Sequence, residues 1–285
     1  MEARASDVPA AMRTKVIEPP RGWGFPDLAE IASHRDLIFY LARRDVVVRY
    51  KQAAVGGFWV VLQPLLLAGV FSLFLGTWAG FDANPDTGVP QPLFVLAGLV
   101  VWLFFSTALE RVSKSTVASE GLISKIYFPR AVIPLAAAIA PLVDFAITFV
   151  VVVLVAIAYG YPPGPEILAT PLVVALAETT AFGAGLWLSA LNVRYRDVTL
   201  IVPFVLLVGM FVTPIFYTLN LVPESLQPLY ALNPMVGVVE GFRWCLLGTD
   251  FPGGLLLIPV VVSVVLTVTG ALYYQRAERG FADVI

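Results

Sequence analysis

Apolar residues in this chain gather into long continuous runs, without the alternation of half-buried strands. Six runs reach the length a bilayer crossing needs, about 17–25 residues: 57–80, 92–109, 131–160, 167–191, 198–217 and 254–274. Continuous runs suit helices, whereas barrel strands would alternate in polarity. The pattern predicts an all-α membrane protein with six transmembrane helices. Pro64, Pro134, Pro141 and Pro203 fall within or near the ends of these runs. Neighbouring helices and polar side chains can satisfy the backbone groups they free.

Polar segments divide the rest. Residues 1–26 are rich in Pro, Ala and charge, with no apolar stretch of signal-peptide type, and read as a disordered cytoplasmic tail. Residues 27–55 read as an N-terminal amphipathic helix, opened by Asp27 and Glu30 in the manner of a capping box. The helix mixes Arg35, Arg43, Arg44, Arg49 and Lys51 with Leu37, Ile38, Phe39 and Leu41. That mixture suits a helix lying in the membrane interface, although a solvated cytoplasmic helix would share it. Residues 56–285 form the six-span domain. Between the fifth and sixth runs, 231–248 is moderately apolar but interrupted by Asn233, Pro234, Glu240 and Arg243. It is too short and too charged for a further span and reads as a re-entrant hairpin covered by protein.

Composition agrees. Hydrophobic residues make up 59% and charged residues 13%, against about 25% charged in soluble domains. The net charge of −2 says little, but its distribution says much. With the N-terminus inside, every Lys and Arg except Arg243 falls in the tail and amphipathic helix, in 110–130, in 192–197 or at the C-terminal end. The positive-inside rule then places both termini in the cytoplasm and the 231–248 segment on the outer side.

The chain is poor in catalytic chemistry. It has no Gly-Lys dipeptide and hence no P-loop. Its single histidine, His34, and single cysteine, Cys245, make neither a zinc site nor a hydrolytic triad credible. Asp144 and Glu178 lie within spans, where a carboxylate either contacts substrate or bonds a neighbouring helix. Aromatics such as Trp102 and Phe211 can line a channel, stacking on sugar rings, or can simply pack.

The segment 110–130, ERVSKSTVASEGLISKIYFPR, carries an apolar cluster on a basic loop. Ser119 and Glu120 can start a short helix exposing Leu122, Ile123, Ile126, Tyr127 and Phe128, which Pro129 ends. Such a helix either lies on the membrane or docks into a partner's groove.

Five strings in order carry a family resemblance: RDVVVRYKQAAVGGFWVVLQP at 44–64, SKIYFPRAVIP at 124–134, NVRYRDV at 192–198, TPIFY at 213–217 and NPMVGVVEGFRW at 233–244. From about residue 35 onward the chain resembles the transmembrane permease subunit of bacterial ABC exporters of lipid-linked polysaccharides, the ABC-2 group that moves O-antigen, capsule and teichoic-acid-type polymers. It departs from the usual Leu-Gly before the first-span aromatic, having Val55, Gly56 and Gly57.

The resemblance implies a homodimer in the bacterial inner membrane, paired with two separate ATP-binding subunits. Those subunits would hold ATP and Mg²⁺, leaving this chain without a cofactor. The substrate would be a polyprenyl-pyrophosphate glycan. Leu122, Ile123, Ile126, Tyr127 and Phe128 would couple to the ATPase. Arg43, Arg44, Arg49 and Lys51 would face lipid phosphate, and Asn233, Pro234, Glu240 and Arg243 would belong to the re-entrant segment near the exit. Membrane lipids are further partners; nucleic acid is not expected. A permease for a drug, lipid or other hydrophobic molecule shares the topology. A membrane-embedded glycosyl or lipid transferase would need a cluster of acids or histidines that is not found, and a channel or scaffold would need no ATPase.

Overall fold

The computed structural model describes residues 28–51, 56–80, 88–123, 125 and 128–281. The regular structure among them is helical, with no strand. The expected tail, the Asp27 cap, and Ile126 and Tyr127 lie outside the described residues. The short α1 (Leu28–Ser33) leads into the basic α2 (Arg35–Lys51). Next come α3 (Gly56–Phe71), running on as a π-helix over Ser72–Trp78, and the long α4 (Gln91–Ala118). The four-residue α5 (Glu120–Ile123) precedes α6 (Val132–Ala158), and a 3₁₀ turn at Pro165–Ala169 opens α7 (Thr170–Arg194). The chain closes with α8 (Val198–Val212), the short α9 (Gln227–Tyr230), α10 (Pro234–Leu247) and α11 (Leu257–Glu278).

α4 is apolar on nearly every face, so it belongs at the centre. Leu93, Val95, Ala97, Leu99, Val101 and Ala108 are fully buried there. α3, α6, α7, α8 and α10 surround it; α11 lies on α7, and α2 lies on α6. By contrast α3 presents Phe58, Trp59, Leu66, Val70 and Phe74 outward. So large an apolar surface is costly in water but suits hydrocarbon.

Small residues set the closest crossing. A Cβ on Gly270 would lie 2.4 Å from the Gly183 carbonyl, and one on Gly183 would lie 2.5 Å from the Thr267 nitrogen. α7 and α11 therefore meet backbone to backbone, as small residues permit in membrane helices. A turn or two further along the same helices, the Thr116 hydroxyl is 2.7 Å from Ser189 Oγ and 2.9 Å from Tyr274 Oη, which ties α4, α7 and α11 together.

Among the described residues, five helices are long and apolar enough to cross: Gly57–Trp78, Gln91–Ala118, Val132–Ala158, Pro165–Arg194 and Gly253–Glu278. The run 198–217 yields only the 15-residue α8, about 22 Å at 1.5 Å per residue. The reason lies in Thr213 and Pro214. A residue before proline is disfavoured in the α region, and Thr213 is extended at φ −79°, ψ 142°. Phe128 also departs from expectation. It is buried, not exposed, in a cluster with Leu41, Ala42, Val132, Ile133 and Ala136, against which Leu122 and Ile123 pack partly buried.

Candidate functional site

Bases concentrate at one end of the bundle, and a cavity of about 640 Å³ opens there between α2, α3, α4 and α6. Its α4 wall is a polar stripe. Leu103, Thr107, Glu110, Arg111 and Lys114 recur at helical three- and four-residue spacing, so the otherwise apolar helix turns one charged face to the cavity. α2 contributes Leu41, Arg44, Asp45 and Arg49, α3 contributes Gln63, and α6 contributes Ile133 and Ala137. A smaller space of about 60 Å³ adjoins it, sharing Arg49, Gln63, Leu103 and Thr107 and reaching Trp59, Phe104 and Asp144.

Asp144 lines the smaller space, and its partner Arg49 lines both. Its carboxylate accepts a hydrogen bond from Tyr50 Oη at 2.7 Å and an ion-paired hydrogen bond from Arg49 Nη1. Both partners come from the end of α2, which is thereby fixed to α6. Charge-assisted bonds are roughly twice as strong as neutral ones. Burial first, then the hydrogen bond to Asp144, pushes the Tyr50 phenol up to about 12, so it remains a donor across the physiological range. The cavity's other acids are also engaged: Arg44 Nη2 meets Asp45 Oδ1 at 3.0 Å, and Lys114 pairs with Glu110 four residues back.

A second arginine site lies toward the opposite end of α4. Arg243 is fully buried. Its Nη1 donates to Glu240 at 3.0 Å and its Nη2 to the Ile215 carbonyl at 2.7 Å, while the guanidinium carbon sits 3.5 Å from the Phe94 ring centroid. Gly98 admits this group: an added Cβ would lie 3.1 Å from Nη2 and 3.3 Å from Ile215 Cα. The Asn233 side chain caps α10 by accepting from the Met235 nitrogen at 3.1 Å and donates to Thr213 Oγ1 at 2.9 Å. Pro234 follows at the first helical position, where its missing N–H costs nothing. Gly248 ends α10 in the left-handed region at φ 65°, which glycine adopts without a steric penalty.

The structure thus brings Arg49 and Asp144 together, which the sequence suggested for different roles, and unites Glu240 with Arg243. Arg44 and Arg49 line the cavity; Arg43 and Lys51 are exposed on α2 outside its lining. Trp102 is buried, packing on Phe105 and approaching Gly209 of α8. Phe211 is half exposed, beside Phe71 and Phe216. Glu178 stands apart on α7, its carboxylate shielded and without a hydrogen-bond partner among the described residues. Sequence reading did not single out Tyr50, Gln63, Arg111 or Lys114. The signal for the last two was present: Glu110, Arg111 and Lys114 end an apolar run with charges about one turn apart.

The family model for ABC-2 type transporters matches residues 36–247. An "O-antigen export system permease protein RfbA" of Myxococcus xanthus is 28% identical over 260 residues, covering 90% of this chain and 98% of the relative. A protein of the same name from Klebsiella pneumoniae is 26% identical over 252 residues, covering 88% and 95%. The "Polysialic acid transport protein KpsM" of Escherichia coli is 24% identical over 242 residues, covering 82% and 91%. All three alignments span nearly the whole relative.

Proposed function

The chain belongs to the ABC-2 type transporter family, and on that premise we propose that it is the membrane subunit of an ATP-driven exporter of lipid-linked polysaccharide. The cargo is a polyprenyl-pyrophosphate glycan, carried from the cytoplasmic to the outer side of the inner membrane. One observation carries the reading: a basic cavity opens among apolar helices, the combination an anionic headgroup on a lipid tail requires. The names of the relatives, which concern O-antigen and polysialic acid, support the same cargo class.

The chain is not itself the engine. A separate subunit hydrolyses ATP with Mg²⁺, and two such subunits join two copies of this chain. With bases inside, both termini lie in the cytoplasm. α8 makes the fifth crossing, a short helix followed by turns over Thr213–Tyr217 that pack Ile215 beside α4. α2 lies along the inner leaflet: its outward face mixes exposed Phe39, Tyr40 and Val48 with Arg43 and Arg44. Arg43 and Lys51 reach headgroups there, and Arg44 and Arg49 belong to the cavity. α10 is the re-entrant element near the exit. Leu122 and Ile123 meet the ATPase while buried Phe128 supports them from below; the Ile123→Asp variant should then lose the ATPase in a pull-down, and undiminished capture would reject that role.

Depletion of the protein in growing cells tests the function as a whole. Lipid-linked polymer should accumulate on the cytoplasmic face and disappear from the surface, with recovery on re-expression. Unchanged surface polymer would reject the reading.

A further inference from the structure

Of the cations that line the cavity, Arg111 alone forms no ion pair among the described residues. Asp45, Glu110 and Asp144 all lie within electrostatic range of it, but each is taken: Asp45 by Arg44, Glu110 by Lys114, Asp144 by Arg49 and Tyr50. Arg111 itself makes no hydrogen bond or ion pair among the described residues. The group is partly buried and feels the like charge of Arg49. A guanidinium held there gains most from an anion supplied from outside, because its planar fork matches the geometry of phosphate oxygens.

We infer that the cavity is a phosphate-ester binding site in which Arg111 is the receiving residue, with Arg49 close enough to share the anion. Lys114 and Arg44 raise the local positive potential but keep their own carboxylates. Trp59, Phe104 and Phe145 line the adjoining space. Anion and apolar tail therefore find complementary surfaces side by side. The inference deepens the export reading and rests on it for the lipid source. Phosphate chemistry alone would also admit free pyrophosphate.

The full-length protein in phospholipid nanodiscs decides the matter by equilibrium binding of three probes: a polyprenyl pyrophosphate, the polyprenyl alcohol of the same length, and inorganic pyrophosphate. Arg111→Gln should weaken binding of the polyprenyl pyrophosphate about tenfold or more, the worth of a charged hydrogen-bonded contact. Alcohol binding should stay unchanged, and Arg111→Lys should recover part of the loss. Arg35→Gln, an exposed base outside the cavity, should bind all three probes as the native protein does. Competition by inorganic pyrophosphate at similar concentration would assign the site to a soluble anion; its failure to compete would assign the site to the lipid. Native affinity in Arg111→Gln, or an equal loss for the alcohol, would overturn the inference. A failure of the export reading is separate, since it appears as normal surface polymer on depletion, whatever Arg111→Gln binds.

Discussion

Two arginines address the same central helix and are treated in opposite ways. Arg243 reaches α4 at Phe94 and Gly98 with both terminal nitrogens engaged, an aromatic face beneath it and no solvent contact; only Nε lacks an acceptor. Arg111 projects from α4 into an open cavity and finds every nearby carboxylate occupied. Residues 98 and 111 are about 20 Å apart along the helix axis. A cation whose two terminal nitrogens are both bonded inside the chain is architecture. One whose bonds are left to be made is a place for a ligand. A count of positive charges would treat the two alike.

The largest expected effect tests the architectural side. Arg243→Met leaves Glu240 buried without its base and should cost about 3–5 kcal/mol, read as a lower unfolding midpoint in detergent. The double variant with Glu240→Leu should regain much of that loss; a single variant as stable as the native protein would break the contrast. Gly98→Ala comes next. Its Cβ presses on both Arg243 Nη2 and Ile215 Cα, and overpacking of this kind costs roughly 1–3 kcal/mol. Its effect should not add to that of Arg243→Met, because the two changes share one contact.

Asp144→Ala is smaller and local. It removes the acceptor of Arg49 and Tyr50, which should loosen α2 by roughly 1–2 kcal/mol, since Arg49 is partly solvated. Hydrogen exchange over 35–51 should quicken while α10 stays protected; equal change in both would mean that α2 is held by packing alone. Arg111→Gln is the smallest: stability should stay within about 0.5 kcal/mol of the native protein. A large loss there would give Arg111 a structural role and erase the distinction.

The sequence revealed these parts unevenly. Five spans and the basic α2 follow from run length and local charge, and both signals are contiguous along the chain. The early end of α8 was legible too, in Thr213 followed by Pro214, but hydropathy does not register backbone geometry. The site was not legible in the same way. Arg49 and Asp144 stand 95 positions apart, and nothing local says that α2 folds back onto α6. Phe128 was misjudged for the same reason. An apolar loop residue reads as exposed until the helix that covers it, here α2 through Leu41 and Ala42, is known to lie there. Long-range pairing decided both cases, and one sequence carries little trace of it.

The central position of α4 has a mechanical side. Its 28 residues form one uninterrupted rod, about 42 Å long. The rod is clamped where Arg243 grips Phe94 and Gly98, and carries its unspent charge near the far tip. Thr116 holds the tip as well, against Ser189 and Tyr274, so a load at Arg111 falls on a rod fixed at both ends. Spin labels replacing Gln91 and Ala118, each measured against a label on α11, should both give narrow distance distributions. A broad distribution at Ala118 alone would mean that the Thr116 contact yields first.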